Sequence, residues 1–271
     1  MDDLAPLVER ARAGDAAALE QLVTAIQDDV YGLALRMLWH PDDAADAAQE
    51  ILIRIVTHLS DFRGESRFRS WCYAIAANHL RTVRRGRMES ADLTFETFER
   101  ELHETASAAE DLESNPEYAV AVEEVRVGCT LGMLLCLDRE QRLAYIAGEI
   151  LELDHHEAAE ILGISPAAFR QRLARARKAI VGFTSRVCGI VDPANGCHCT
   201  KRVAYAIERG RVHLGKPVFG DCLRTTAPKF AQVQNAVRRL EELRRAAALY
   251  RSHPRFTPRT DLAPAAIARR R

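Results

Sequence analysis

From Phe62 onward the chain reads Phe62-Arg63-Gly64-Glu65-Ser66-Arg67-Phe68-Arg69-Ser70-Trp71-Cys72-Tyr73-Ala74-Ile75-Ala76-Ala77-Asn78-His79-Leu80-Arg81. Four aromatics, four arginines and one asparagine thus fall on what reads as a loop followed by a helix. Aromatic faces accept unstacked bases, arginines meet phosphates, and an asparagine amide offers both a donor and an acceptor to one base edge. A different chemistry opens at Cys188, where Cys188, Cys197, His198 and Cys199 put three thiols and an imidazole into twelve positions. The turn residues Pro193 to Gly196 fold Cys188 towards the other two cysteines. Neighbouring Lys201 and Arg202 predict lowered thiol pKa values, which suit metal ligation or thiol exchange. The C-x8-C-x-C spacing is no standard zinc knuckle and leaves a fourth ligand open among His198, His213 and Cys222. Metal binding, redox sensing and plain packing all remain readings of this cluster.

The elements that position these groups read as helices throughout. Val30, Leu33, Ala34, Met37 and Leu38 recur at helical spacing, and a second helix opens after Pro41-Asp42-Asp43. In it Ala44, Ala48, Ile51, Ile55 and Leu59 form one stripe and leave Asp46, Gln49, Glu50 and Arg54 outside. Phe68, Trp71 and Ile75 share a stripe that predicts burial. No segment sustains a period of two, so the fold class is all-α. Residues 89–126 are acidic and poor in large apolar groups apart from Leu93, Phe95 and Phe98, which reads as a linker.

The net charge of zero hides segregation along the chain. Residues 61–88 hold 7 basic and 2 acidic side chains and residues 165–187 hold 6 and 0, whereas residues 1–60 hold 4 and 11. Residues 188–271 hold 17 basic and 6 acidic side chains. Two basic blocks set among acidic segments suit a bipartite DNA binder. The N-terminus, Met1-Asp2-Asp3-Leu4, lacks a basic-then-apolar signal, and no window supplies the roughly 20 apolar residues of a membrane span. Seven cysteines in such a chain predict reduced thiols and a cytoplasmic protein.

The second basic block has clear local grammar. Asp154 with Glu157 forms a capping-box pattern, the helix through Leu162 stops at Gly163, and Ser165-Pro166 starts another. Phe169, Leu173, Ala176 and Ile180 make its buried stripe, opposite Ala167, Gln171, Ala174, Arg175 and Lys178, with Arg170 flanking. Two short helices, a glycine turn and a basic outer face describe a helix-turn-helix whose second helix enters the major groove. The segment His156-Glu157-Ala158-Ala159-Glu160 imitates the zinc-protease HExxH pattern, but Glu160 replaces the second histidine.

In this order, the two basic elements resemble RNA polymerase sigma factors of the extracytoplasmic-function (ECF) type. The resemblance rests on Asp46 to Leu52, on Phe62 to Leu80, on Leu137 to Arg142 and on Gly163 to Lys178, and covers roughly residues 15–88 and 128–182. It implies a non-enzymatic initiation subunit without a required cofactor. Its partners would be core RNA polymerase, through the β′ clamp helices and the β flap, and promoter DNA, with an anti-sigma factor as a further partner. Carried over by position, Asp46, Gln49 and Glu50 would dock on the polymerase. Phe62 and Asn78 would hold a flipped −10 base, and Arg81, Arg84, Arg85 and Arg87 would meet phosphates. Arg170, Gln171, Ala174, Arg175 and Lys178 would face the −35 element. Many relatives carry arginine where Ala74 stands and a larger side chain where Ala174 stands, which limits direct reading at the latter to a methyl contact.

The expected organisation is therefore a polymerase-binding and −10 domain over 1–88, an acidic linker over 89–127, a −35 domain over 128–184 and a cysteine-containing regulatory extension over 185–271, with zinc or another metal as the group its thiols would hold. In that extension Phe230, Val233, Val237, Leu240, Leu243, Ala247 and Tyr250 predict one long amphipathic helix, packed within the chain. Arg269-Arg270-Arg271 reads as a merely basic tail. A stand-alone helix-turn-helix regulator with a metal or thiol sensor is the alternative, but it would have no use for the Asp46/Gln49/Glu50 face.

Overall fold

The computed structural model describes residues 4–84, 93–104, 112–220, 222–225 and 227–269. The described chain is helical. Its only extended pairing is one parallel bridge between Cys188 and Cys197, and no described helix is long and apolar enough to cross a membrane. The first four helices are α1 (Ala5–Arg12), α2 (Ala16–Leu38), α3 (Pro41–Thr57) and α4 (Phe68–Thr82). Asp15 starts α2 by accepting the Ala18 N–H at 3.0 Å, and Pro41 sits in the first turn of α3, where its missing N–H costs nothing. The predicted stripe is buried, with Ala44, Ala48, Ile51 and Ile55 on α3 and Leu59 just past its end all at most 1% exposed.

A short helix α5 (Phe95–His103) follows, then α6 (Tyr118–Leu135), which begins inside the segment expected as linker and runs past residue 128. The three large apolar residues of that segment explain why α5 docks. Phe95 and Phe98 lie 5.2 and 5.8 Å, ring to ring, from Phe183. Next come α7 (Arg139–Tyr145), extended by a π-helical turn over Ile146–Ile150, then α8 (His155–Leu162) and α9 (Pro166–Val187). Asp154 accepts from the N–H groups of His156 and Glu157 at 2.8 and 3.0 Å. Gly163 closes α8 at φ +63°, a conformation that favours glycine. The expected capping box does not close, because the Glu157 carboxylate instead accepts from Ser70 Oγ at 2.7 Å on α4.

The extension contributes α10 (Cys199–Glu208), α11 (Cys222–Thr225), α12 (Phe230–Arg238), α13 (Glu242–Arg251) and α14 (Ala263–Ala268). The expected single helix over 230–250 is thus two. Arg245 accompanies the break: its guanidinium donates to the carbonyls of Leu240 at 2.9 Å and Arg238 at 3.4 Å, groups that a continuous helix would have paired internally, and reaches the Val191 carbonyl at 3.0 Å. Val233, Val237, Ala247 and Tyr250 are buried within the chain, whereas Leu240, at the break, is exposed.

Helices from distant parts of the chain share one core. Arg142 on α7 is 1% exposed and donates to the carbonyls of Leu134 at 2.8 Å, Leu137 at 3.0 Å and Met37. It so joins the C-terminal ends of α2 and α6. Beside it, Trp39 takes a positive φ of 68° at the end of α2 and its indole N–H reaches the Gly128 carbonyl at 2.9 Å. A Cβ at Gly128 would stand 3.3 Å from the Phe219 ring, so the absent side chain admits both aromatics. The extension is clamped to α6 by buried Arg126, which pairs with Glu123 and donates to Ser252 Oγ at 2.9 Å. His253 Nε2 lies 2.7 Å from Thr130 Oγ1.

Two outcomes follow from these buried groups. Arg142→Leu leaves carbonyls of two helix ends without their donor and lowers the unfolding free energy by about 3 kcal/mol in urea titrations. Burial and the nearby charges of Arg126 and Arg36 hold His253 well below its ordinary pKa of 6.5. Below that value the unfolded chain takes up a proton that the folded chain refuses. The contribution of His253 is therefore complete above pH 6.5 and is lost progressively as the pH falls towards its folded pKa. Urea midpoints fall between about pH 7.5 and about pH 5.5, and His253→Gln flattens that fall.

Candidate nucleic-acid and polymerase interfaces

On α9, Ser165 Oγ accepts the Ala168 N–H at 3.2 Å and Pro166 fills the first turn. Phe169, Leu173, Ala176 and Ile180 are at most 3% exposed and turn the opposite face outward. Arg170, Gln171, Ala174, Arg175 and Lys178 are all exposed on it. The cations of this helix divide into two sets. Arg177 donates to Glu149 at 2.8 Å, Arg186 to Glu99 at 2.6 Å, and Arg172 pairs with Glu140. Arg170, Arg175 and Lys178 have no acidic partner among the described residues. The sequence pattern named the second set but gave no sign of the pairings of the first, because each acidic partner lies at least 28 residues away.

On α4 the arrangement is more enclosed. Asn78 is exposed, and its Oδ1 accepts from Arg81 Nη1 at 2.8 Å. The same guanidinium donates to Glu140 at 2.9 Å and to the Leu162 carbonyl at 2.6 Å. Arg139 returns the contact by donating to the Arg81 and Val83 carbonyls at 2.9 and 2.7 Å. In this structure α4 therefore lies against α8 and the start of α7, and Arg81 is committed to them. Phe62 is 8% exposed and packs edge-on to Phe68 and tilted against Trp71, with centroids 5.3 and 5.4 Å away. Phe68 is fully buried as expected, but Trp71 and Ile75 are only partly so. Arg84 is exposed, while Arg85 and Arg87 lie outside the described residues. On α3, Asp46 and Glu50 are exposed and Gln49 is half-buried, one edge away from the core stripe.

Comparison with known proteins matches this order of elements. The family description Sigma-70 region 2 matches residues 22–100, and Sigma-70, region 4 matches residues 128–180. The RNA polymerase sigma-H factor of Pseudomonas aeruginosa is 34% identical over 177 residues, which span 64% of this chain and 90% of that protein. The ECF RNA polymerase sigma-E factor of Escherichia coli (strain K12) gives the same identity and coverage. The chain belongs to the ECF family of RNA polymerase sigma factors. It directs promoter-specific transcription initiation. A solved sigma factor, RpoE of Bartonella quintana in complex with the anti-sigma factor NepR, is 18% identical and covers 61% of this chain and 95% of that one, with a TM-score of 0.40.

Both family matches of this sigma factor end before its cysteine-containing extension. There the structure adds a residue that sequence spacing could not supply. Cys129, on α6, joins Cys188, Cys197 and Cys199 around one small cavity. Cys222 instead lies with its Sγ 3.4 Å from the Phe219 carbonyl, and His213 is exposed. All seven cysteines are free thiols. The expectation of lowered thiol pKa values is corrected. Burial pushes Cys129 and Cys199 well up, raises Cys188, and lifts Cys197 to about 11. Arg202 offsets little of this at Cys197, since its guanidinium points to the carbonyl of Glu101 at 3.1 Å and the face of Tyr205 at 4.0 Å. Among the described residues, no three His, Cys, Asp or Glu side chains stand together so as to hold an ion.

Protonated, apolar-walled thiols are poor nucleophiles. The native protein at about pH 8 therefore reacts with a charged aromatic disulfide reagent about a hundredfold more slowly at these cysteines than the urea-unfolded chain does, as read by released thiolate and peptide mapping.

Proposed function

We propose that three faces of this sigma factor divide the work of initiation. Asp46, Gln49 and Glu50 on α3 dock on the β′ clamp helices of core RNA polymerase, and the −35 domain meets the β flap. Phe62 and Asn78 form the pocket for a flipped −10 base, with Arg81, Arg84 and Arg85 on the flanking phosphates. Arg170, Gln171, Ala174, Arg175 and Lys178 read the −35 element in the major groove, where a bidentate arginine–guanine contact is worth about 1–3 kcal/mol. The boundaries that go with this division are 1–88, 89–127, 128–184 and 185–271, in a cytoplasmic, non-enzymatic subunit that an anti-sigma factor would hold in reserve.

The observation that carries the reading is the division of cations on α9. Six basic side chains crowd this helix, and intramolecular carboxylates neutralise Arg172, Arg177 and Arg186. Arg170, Arg175 and Lys178 stay exposed on one face, which suits phosphate neutralisation and base-edge contact. For α4 the reading carries a requirement. Asn78 frees the whole acceptor capacity of its amide oxygen for a base once Arg81 lets go, so in this reading promoter melting goes with exchange of the Arg81 partners Glu140 and Leu162 for nucleic acid. No cofactor enters this division of labour. Zinc at the extension would need Cys129, Cys188, Cys197 and Cys199, with His198 beside them, to close around it, and elemental analysis of anaerobically purified protein decides that.

In vitro transcription with purified core polymerase separates the three faces. Asp46→Lys with Glu50→Lys weakens association with core by about tenfold to a hundredfold and leaves the circular-dichroism spectrum unchanged, since both side chains lie outside the buried stripe. Asn78→Ala leaves duplex binding intact and reduces permanganate reactivity of the opened −10 region at a single base position. Arg175→Ala weakens duplex binding and relaxes −35 preference by about 1–3 kcal/mol. Normal opening by Asn78→Ala on every −10 variant would remove it from the base pocket.

A further inference from the structure

Of the basic tail Arg269-Arg270-Arg271, the last two lie outside the described residues, and the segment that leads to Arg269 is built into the fold. After His253 the chain crosses the α2–α3 face. Arg255 lies 3.4 Å from Asp28 and 3.7 Å from Asp29. Phe256 is 1% exposed under the Arg36 guanidinium, 5.1 Å from ring centroid to cation. The Leu262 N–H donates to Gln27 Oε1 at 3.0 Å. Helix α14 then buries Leu262, Ala263 and Ala266 to between 0 and 4% exposure in the core shared with α2 and α3. It ends with Arg269 Nη1 3.3 Å from Glu50 Oε1.

We propose that segment 253–269 is an intramolecular occupant of the polymerase-docking face on α3, which core RNA polymerase must displace in order to bind. The inference rests on the docking role given above to Asp46, Gln49 and Glu50. Glu50 is paired with Arg269 at the end of the tail, and both it and Asp46 on the same edge remain exposed. The polymerase thus has an open foothold, while the neighbouring surface of α3 is taken up by α14. Charge favours the arrangement. Residues 1–60 carry 11 acidic against 4 basic side chains, and residues 188–271 carry 17 basic against 6 acidic. Exposed ion pairs such as Arg269–Glu50 contribute little individually, so the apolar side chains of α14 hold the segment and the charges set its register. Such a cover lowers apparent affinity by the fraction of molecules in which the face is free.

Deuterium exchange on the full-length protein tests this with no substitution. Amides of residues 262–269 are protected in the free protein and lose that protection when purified core polymerase binds. Protection that persists in the complex overturns the proposal. In parallel, Ala266→Arg, and Leu262→Asp combined with it, place charge in the α14 contact. The released chain binds core polymerase about tenfold more tightly than wild type. Adding Glu50→Lys to the released chain separates the two layers of the argument. Loss of binding on that addition, with no gain from release alone, overturns the cover and leaves the docking face standing. Unchanged binding with Glu50→Lys removes the docking reading and the cover with it.

Discussion

Arg142 carries a charge into the middle of the molecule, and the positions of the helices around it follow from how that charge is solvated. Its guanidinium takes carbonyls from the ends of α2 and α6, which are the groups a helix C-terminus leaves unpaired. A buried cation without such partners would cost several kcal/mol, so the two helix ends must stay where the fork can reach them. That requirement ties the N-terminal helices to the helices that match Sigma-70, region 4. It also sets Trp39 against Gly128 and brings the start of α7 beside α4.

The same juxtaposition sorts the arginines. A sequence rich in arginine presents many equivalent candidates for nucleic-acid contact, and the fold makes them unequal. Glu140 draws in Arg81 and Arg172, Glu149 draws in Arg177, and Glu99 draws in Arg186. What remains exposed on the outer face of α9 is a short set of cations, Arg170, Arg175 and Lys178, that no described carboxylate pairs. On α4 the sorting has a different meaning, because the arginine engaged by Glu140 also holds the asparagine assigned to the −10 base. The α4–α8 contact and the −10 pocket proposed above draw on the same side chains.

In the extension, burial rather than charge decides the chemistry of the thiols. Lys201 and Arg202 are close in sequence to Cys199, but proximity along the chain is not proximity of charge. Arg202 is spent on carbonyls and an aromatic face, and the four clustered thiols are left in apolar surroundings that favour their protonated form. They line the seam between α6 and the extension, where a backbone β-bridge between residues Cys188 and Cys197 closes the turn.

The sequence alone determined whatever depends on neighbours within one or two helical turns. The α3 and α9 stripes, the caps at Asp154 and Ser165, the glycine stop at Gly163 and the all-helical class are short-range consequences of side-chain period and cap chemistry, and the family resemblance rested on the same local motifs. Tertiary structure alone decided the rest. Glu157 left its local capping box for Ser70, residues 230–250 broke where Arg245 could also reach the distant Val191 carbonyl, Cys129 joined thiols some sixty residues away, and Arg269 came to pair with Glu50. Each of these turns on which distant group supplies a hydrogen bond or removes water. Side-chain period along one helix carries no information about that choice.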